Sequence, residues 1–404
     1  MSEVATRRRI PLNGPDAVVT PLELFFDLVF VFALTQVTAV MAADLSLEGL
    51  LRGVLVLGLL WWSWTGYAWL CNVVDVDAGP VRLVLLTAMA AMFVIALAIP
   101  EAFDDLRGGL PGPVVVAVCY FVFRLMHLVM FWLLAAGDEG LRRQLVRFTP
   151  SMLGATTVLL VAAGTDGTTQ TLLWVLALAV DYLGTLLGGA SGWRIISPGH
   201  FAERHGLILI VALGESIVAI GVGVAELPIS WPIVAASVLG LVVVSCLWWV
   251  YFDLSSVHAE HAFAAEPEET RARFARDAYS FLHVPLLIGV VLTALGLKKV
   301  LEYVGDAVDH ELSDPLKGVG LLALVGGVAI YLLGHVAFKW RVSHGLFLGR
   351  VVATGAVVLV GLVGAQIPAL ATLSLVAAVL VALVGFETLA YAEHRRELRS
   401  PAGH

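Results

Sequence analysis

Ionisable side chains inside long apolar runs are the residues of this sequence whose types and positions could do chemistry. A charge at the middle of a bilayer costs about 3 kcal/mol on insertion scales, so such a residue faces the protein interior and has a partner. Groups of this kind mark substrate and ion pathways in membrane proteins. Five residues in this situation are the predicted substrate- or proton-binding residues: Asp27, Arg124, His127, Asp181 and Glu215.

Glu215 is the acid that the sequence places deepest, halfway along an apolar segment that contains Ala-Leu-Gly-Glu-Ser-Ile from residue 212 onward. Burial penalises the charged form of a carboxyl group, so an acid at this depth can carry a proton. A proton-coupled carrier needs such a group at mid-membrane. The structural alternative is a neutral acid, or one paired with Arg124, that holds helices together.

Glu23 and Asp27 lie four residues apart, and therefore on one face of a predicted helix. As a pair they could bind a cation or a proton near the cytoplasmic end of that helix. Alternatively, Glu23 stabilises the positive start of the helix and Asp27 pairs with an arginine of a neighbouring helix. Thr35 and Gln36 lie deeper and could hydrogen-bond a substrate or another helix.

Arg124 and His127 lie three residues apart, also on one helix face. Arginine cannot be neutralised, so it needs an acid or a water-filled cavity. Arg124 is therefore either a structural counter-ion or a binding group for an anionic substrate. His127 is either a neutral core histidine or part of a proton relay. The acids available to Arg124 are Asp27, Asp181 and Glu215.

The remaining polar residues predict no metal and no cofactor. His258 and His261 lie three apart, but they lack a zinc-motif spacing and the acids that follow are typical of a solvated loop. No glycine-rich phosphate-binding motif is present. Lys339 and Arg350 are expected to snorkel, and Pro285 is expected to kink its helix. The chain is predicted to have no catalytic residues and not to be an enzyme.

The composition shows what kind of protein must position these residues. Hydrophobic residues make up 59% of the 404 residues and charged residues only 14%, which is too few charges to cover a soluble protein of this size. No basic stripe accompanies the net charge of −8, which excludes a nucleic-acid partner. The three cysteines show no CxxC pairing, so neither a disulfide framework nor a zinc site is indicated.

The apolar residues come in blocks long enough to cross a bilayer as helices, because backbone polar groups in lipid must be satisfied internally. Basic residues occupy every second loop, counted from Arg7–Arg9, which predicts that both termini are cytoplasmic and that the number of spans is even. The prediction is an all-α polytopic membrane protein with about twelve transmembrane helices. The predicted segments are 21–42, 47–71, 81–99, 112–135, 150–165, 170–189, 205–225, 230–253, 278–297, 316–338, 345–365 and 369–391.

The twelve segments are predicted to form two six-helix repeats. His127 and His335 occupy matching positions in the fourth and tenth segments, and Asp181 and Glu387 in the sixth and twelfth. Six segments per half give both halves one orientation, so the repeat is parallel. The predicted domains are a cytoplasmic amino-terminal segment, the two repeats and a cytoplasmic tail, at 1–20, 21–197, 198–392 and 393–404.

Two segments resemble the low temperature requirement protein A family of bacterial membrane proteins. The first is Glu23-Leu-Phe-Phe-Asp-Leu-Val-Phe-Val-Phe-Ala, and the second runs from His200 to Gly221. The resemblance covers nearly the whole chain and implies a multi-span inner-membrane protein named for a growth phenotype in the cold. By position in these motifs, the family's marker residues would be Glu23, Phe25, Phe26, Asp27, Glu203, Arg204, His205, Gly214 and Glu215.

A second resemblance concerns the start of the first segment alone. Phe25-Phe26-Asp27 is similar to the Phe-Ser-Asp signature of an endolysosomal potassium channel family. The middle residue differs, and the second half has Gly206 and Leu207 where Phe26 and Asp27 stand. A pore that needs the signature twice would therefore lack it here.

The sequence as a whole predicts an integral protein of the bacterial cytoplasmic (inner) membrane. Its predicted partners are the lipid bilayer and a small solute or ion. The favoured function is a proton-coupled secondary transporter linked to growth at low temperature, with its binding site between the repeats near mid-membrane. The alternatives are a cation channel or ion-binding pore, and a non-transporting membrane scaffold or sensor.

Overall fold

The structure is a computed structural model, and it describes residues 10–225, 227–306, 308–345 and 347–392. Part of the orientation prediction rests on arginines at the two ends of the chain. Those residues, Arg7–Arg9 together with Arg395, Arg396 and Arg399, lie outside the described ranges, as does the predicted tail 393–404.

Helices form nearly all the regular structure in these ranges. Ile99–Glu101 is a short 3-10 segment and Ala275–Phe281 is a π-helical segment. The α-helices are α1 (Pro21–Ala43), α2 (Leu47–Val73), α3 (Gly79–Ala98), α4 (Gly112–Leu134), α5 (Glu139–Ala162), α6 (Gly167–Gly188), α7 (Pro198–Val224), α8 (Trp231–Phe252), α9 (Ser255–Ala265), α10 (Glu268–Phe274), α11 (His283–Gly305), α12 (Gly318–Ser343), α13 (Leu348–Gly364) and α14 (Ala369–Ala390).

Eleven helical stretches within the described residues are long and apolar enough to cross a membrane. The predicted segment 345–365 forms α13, which is apolar but only 17 residues long. At 1.5 Å per residue this helix spans about 26 Å, close to the ~30 Å of a bilayer's hydrocarbon core. The predicted all-α polytopic fold is confirmed. The division into two repeats stays a prediction.

The start of α5 is where the predicted boundary is most in error. The segment was expected to begin at 150, but the helix begins at Glu139 and contains Pro150. Asp138 caps it, because its carboxylate accepts a hydrogen bond from the Leu141 N–H at 3.0 Å. The first turns of α5 are rich in arginine, which lowers their hydropathy without weakening their helix propensity.

The ninth segment also differs from its prediction in form. It was expected at 278–297 with a kink at Pro285, whereas the α-helical part begins at His283 and follows the π-helical segment Ala275–Phe281. Pro285 therefore lies in the first turn of α11, where a missing backbone N–H is tolerated. The helix changes form just before this proline.

The described helices fall into two compact units. The first comprises the described residues up to Val29, Trp62–Arg204 and Glu268–Arg273. The second comprises Phe30–Trp61, His205–Pro267 and the described residues from Phe274 onward. Each unit has its own buried core of aliphatic and aromatic side chains. Helices α1, α2 and α7 each contribute residues to both units.

Helices α11 and α12 pack backbone against backbone in the second unit. A Cβ atom added to Gly296 would lie 2.4 Å from the Cα of Leu324, and one added to Gly327 would lie 2.5 Å from the backbone nitrogen of Thr293. Real Cβ atoms do not approach so closely, so these positions need glycine. Small residues that let helices approach in this way are typical of membrane helix pairs.

We expect Gly327→Ala to lower the free energy of unfolding by about 1–3 kcal/mol, because α11 and α12 must move apart. The midpoint of thermal unfolding in detergent measures the change. Gly326→Ala is the matched control, since a Cβ there meets only a leucine side-chain atom at 3.7 Å. That control should keep or slightly raise the midpoint, because alanine favours helix. Equal midpoints for the two variants would contradict the close approach.

Candidate functional site

A cluster of buried charges joins α1 to α7 inside the first unit. Arg204 donates from Nη1 to Glu23 Oε1 at 2.7 Å and from Nη2 to Asp27 Oδ1 at 2.8 Å. All three side chains are almost fully buried. One guanidinium therefore bridges two carboxylates that lie one helical turn apart. The sequence left two interpretations of Asp27 open, and these contacts correspond to the second, in which Asp27 pairs with an arginine of a neighbouring helix.

A histidine and a tryptophan complete this cluster. His200 Nε2 lies 3.0 Å from Glu23 Oε1, and Trp64 Nε1 donates to Asp27 Oδ1 at 2.8 Å. The other oxygen, Asp27 Oδ2, is buried and has no hydrogen-bond partner in the described part of the chain. The cluster thus contains two carboxylates and one guanidinium, with the His200 imidazole beside Glu23.

Three residues of this region were not selected from the sequence: Trp64, Asn72 and His200. Asn72 Nδ2 lies 3.3 Å from His200 Nδ1 and donates to the Ser197 carbonyl oxygen at 2.6 Å, so it holds the start of α7 in place. His200 precedes Arg204 by four residues, which puts both on one helix face. That spacing is the signal that could have found it.

A second buried pair lies in the first unit between α4 and α6. Arg124 Nη2 donates to Asp181 Oδ1 at 3.0 Å, and the Tyr120 hydroxyl donates to Asp181 Oδ2 at 2.7 Å. The guanidinium carbon also lies 5.3 Å from the centroid of the Phe148 ring. Of the three acids considered as partners of Arg124, Asp181 is the one that contacts it.

His127 lies one turn from Arg124 in mostly aromatic surroundings. Its ring centroid is 5.0 Å from that of Phe131 and 5.7 Å from that of Tyr67. A Cβ added to Gly66 would approach His127 Nε2 to 3.2 Å, so α2 packs directly on the imidazole. These contacts are typical of a neutral core histidine. They provide no chain of hydrogen bonds for a proton relay.

Glu215 of α7 lies in the second unit, where its contacts are with hydroxyl groups of α1. Thr35 Oγ1 lies 2.5 Å from Glu215 Oε2 and 3.1 Å from the carbonyl oxygen of Val31. The Thr38 hydroxyl also interacts with this carboxyl group. Glu215 is 1% exposed, and no Lys, Arg or His in the described ranges lies within 4.0 Å of its carboxylate. Lys298 acts on it only through its charge, at longer range.

A third arginine lies buried in the second unit at the start of α13. Arg350 donates from Nε to Glu387 Oε1 at 2.7 Å and from Nη2 to Glu387 Oε2 at 2.9 Å, and its Nη1 lies 3.0 Å from His335 Nδ1. Arg350 is 1% exposed and Lys339 is 8% exposed. The expectation that both snorkel was wrong, because both are enclosed by protein. Hydropathy alone cannot distinguish an arginine at an interface from one held by an acid of another helix.

The other family-motif positions vary in their surroundings. Phe26 is buried, whereas Phe25 is half exposed and Glu203 is exposed. His205 is buried, with its ring centroid 5.3 Å from that of His283. A Cβ added to Gly214 would meet no atom within 4 Å. Gly214 therefore leaves open space one residue before Glu215.

The five residues predicted to bind substrate or protons fall into three groups that have different contacts. Arg124 and Asp181 contact each other, with His127 one turn away, while Asp27 contacts Arg204 and Glu215 contacts Thr35. That the five line one site stays a prediction. No group of three or more His, Cys, Asp or Glu residues in the described ranges could hold a metal ion.

We expect Arg124→Leu to lower the free energy of unfolding by about 3–5 kcal/mol, because Asp181 would be left as an unpaired buried charge. The double variant Arg124→Leu/Asp181→Leu should recover much of this loss. Unfolding in detergent, followed by circular dichroism, measures both. Equal destabilisation of the single and double variants would show that the unpaired charge of Asp181 does not cause the loss of stability in Arg124→Leu.

The matched control for this experiment is an exposed ion pair. Arg194 Nη2 lies 2.9 Å from Asp138 Oδ2, and the two side chains are 49% and 31% exposed. Arg194→Ala should change stability by less than about 1 kcal/mol, since water solvates the remaining carboxylate.

Comparison with known proteins identifies the family. The family model described as bacterial low temperature requirement A protein (LtrA) matches residues 18–385. A protein of Rhizobium meliloti (strain 1021), described as uncharacterized, is 30% identical over 339 residues, which cover 80% of this chain and 76% of that relative. No solved structure matches the chain. The match takes in both motif segments, and the chain belongs to the bacterial low temperature requirement A protein family.

Proposed function

We propose that this protein is a proton-coupled secondary transporter of a small solute, with Glu215 as the residue that carries the proton. The observation that supports the proposal is the surroundings of this one carboxyl group. Glu23, Asp27, Asp181 and Glu387 each contact an arginine guanidinium. Glu215 is as deeply buried as these acids, and its hydrogen bond is with a threonine hydroxyl.

Whether an acid is paired with arginine determines what its protonation costs. Protonation of an acid that is paired with arginine leaves the guanidinium buried without a counter-ion, which costs several kcal/mol. Protonation of Glu215 leaves no such charge behind. Among these five acids, Glu215 is therefore the one that can gain and lose a proton without breaking an ion pair.

Thr35 can accommodate both states of Glu215. A hydroxyl group has one proton to donate, yet Thr35 Oγ1 lies within hydrogen-bond distance of both Glu215 Oε2 and the Val31 carbonyl oxygen. When Glu215 is protonated, it donates to Thr35, which donates to Val31. When Glu215 is ionised, the Thr35 hydroxyl rotates and donates to the carboxylate. The contact is satisfied in either state.

The buried arginines have a structural role in this proposal. Arg204, Arg124 and Arg350 each join helices through carboxylates at 2.7–3.0 Å. Such pairs hold helices in register, while the less constrained Glu215 changes its charge. The location in the inner membrane with both termini in the cytoplasm, and the link to growth in the cold that the family name carries, belong to the same proposal.

The channel alternative has less support. It relies on Asp27 as an ion-binding group at the start of α1. Asp27 is 2% exposed and contacts both Arg204 and Trp64 through Oδ1, so a guanidinium already occupies the place of a cation.

The test is solute-driven proton movement in proteoliposomes. Vesicles loaded with a pH-sensitive dye and containing the full chain are exposed to a panel of amino acids, sugars, organic acids and inorganic ions. We expect at least one solute to drive proton movement with wild-type protein, and Glu215→Gln to reduce that movement to the level of protein-free vesicles. Glutamine keeps the size and hydrogen bonding of the side chain but cannot carry a proton.

The control variant is Glu203→Gln, an exposed carboxylate on the same helix, which should transport as the wild type does. Full activity of Glu215→Gln would contradict the assigned role. Unitary currents in bilayer recordings would favour the channel instead. If no solute in the panel moved protons, and Glu215→Gln rescued growth in the cold as well as wild type, the scaffold alternative would replace the transporter.

A further inference from the structure

The second unit contains a cavity of about 260 Å³ at one end of its helix bundle. Its wall is formed where α8, α12 and α14 end and α13 begins, by residues that include Trp249, Lys339, Glu387 and Arg350. On the predicted orientation this end faces the cytoplasm. No residue of the proposed proton site lines this cavity, so the inference is independent of the proposed function.

The charge of Arg350 is already satisfied inside the wall. Its guanidinium holds both oxygens of Glu387, and its polar contacts besides these are with His335 Nδ1, the Val250 carbonyl oxygen and the Ser255 hydroxyl. Such a bidentate pair with additional hydrogen bonds needs no further ligand.

Lys339 is the cation in this wall that lacks an ion-pair partner. The residue is buried, with 8% of its surface exposed. No carboxylate in the described ranges lies within 4.0 Å of Nζ, which is placed 3.6 Å from the centroid of the Phe347 ring. A cation–π contact satisfies one face of an ammonium, but its three N–H donors require acceptors. A buried ammonium beside an open cavity therefore indicates an anionic ligand.

We propose that this cavity binds an anionic phosphate ester, the phosphodiester of a phospholipid headgroup, with Lys339 paired to the phosphate. Two features favour a lipid over free phosphate. First, Asp253 and Glu387 also line the cavity, so a phosphodiester with one negative charge fits better than inorganic phosphate with about 1.5 at neutral pH. Second, the cavity lies at helix ends, which is the level of lipid headgroups, and basic pockets between helices on the cytoplasmic side bind such headgroups.

The rest of the wall fits an amphipathic molecule. Trp249, Phe347 and Tyr391 contribute aromatic surface, and Trp249 is 37% exposed at the outside of the unit. Aromatic side chains of this kind prefer the boundary between acyl chains and headgroups. The volume of about 260 Å³ accommodates a phosphate and its glycerol, while the acyl chains would remain outside.

The experiment uses delipidated full-chain protein in detergent, with thermal unfolding recorded as lipid is added. Phosphatidylglycerol, diacylglycerol with the same chains and inorganic phosphate are the three probes. A ligand that binds the folded state raises the unfolding temperature with its concentration. We expect phosphatidylglycerol to raise it in a saturable way, and the other two probes to have no such effect.

Lys339→Met removes the charge and keeps the length of the side chain. It should weaken the response to phosphatidylglycerol about ten-fold, the loss expected for one charge-assisted contact. Lys317→Met, at an exposed lysine that precedes the other end of α12, should respond as the wild type does. Without lipid, Lys339→Met should unfold at a higher temperature than wild type, because a buried unpaired charge has been removed.

Three results would overturn the proposal. One is an unchanged lipid response in Lys339→Met. Another is an equal effect of diacylglycerol, which would indicate a site for acyl chains. The third is stabilisation by inorganic phosphate through Lys339 in the absence of any lipid effect, which would indicate a soluble anion.

Discussion

The constraint on which this structure depends is the cost of holding a charge away from water. Within the described helices, three arginines lie at 0–2% exposure, and each contacts carboxylates of another helix. Breaking such a pair costs several kcal/mol, because one unpaired charge is left in a low-dielectric interior. Each pair therefore specifies which helices are neighbours and in which register. Arg204 does so for α1 and α7, Arg124 for α4 and α6, and Arg350 for α13 and α14.

The same constraint separates residues that can change state from those that cannot. An acid that is paired with a buried arginine cannot be protonated without a large cost in free energy, so it keeps its negative charge. In the two proposals, Glu215 gains and loses a proton and Lys339 gains and loses an anion, because no opposite charge in the described ranges lies within 4.0 Å of either group. Chemistry in a protein of this kind is thus expected at buried ionisable groups that lack an ion-pair partner.

Several features of the site were predictable from residue type and spacing. Glu23 and Asp27 lie on one face of α1, and both accept hydrogen bonds from one arginine. The family motif of α7 contains both Arg204 and Glu215, and both are buried, although only Glu215 was expected from the sequence to lie deep. Of the residues that were missed, His200 could have been found from its spacing of four residues to Arg204, whereas Trp64 and Asn72 have no periodic pattern that distinguishes them from interface residues. The burial of Arg350 and Lys339 was missed for the same reason.

The sequence by itself determined the class of fold, the approximate number of spanning helices and several of the buried ionisable residues, among them Asp27, Arg124, Asp181 and Glu215. These follow from local properties of the chain: the length of the apolar segments, the need to satisfy backbone hydrogen bonds within each helix, and the cost of placing a charge in the hydrocarbon core of a bilayer. Only the tertiary structure decided which acid meets which arginine. Asp27, Asp181 and Glu215 were all chemically acceptable partners for Arg124, and the packing of α5 against both α4 and α6 brings Asp181 to it. Ion pairing depends on distances of a few ångströms between residues that are far apart in the chain, and no local pattern encodes those distances.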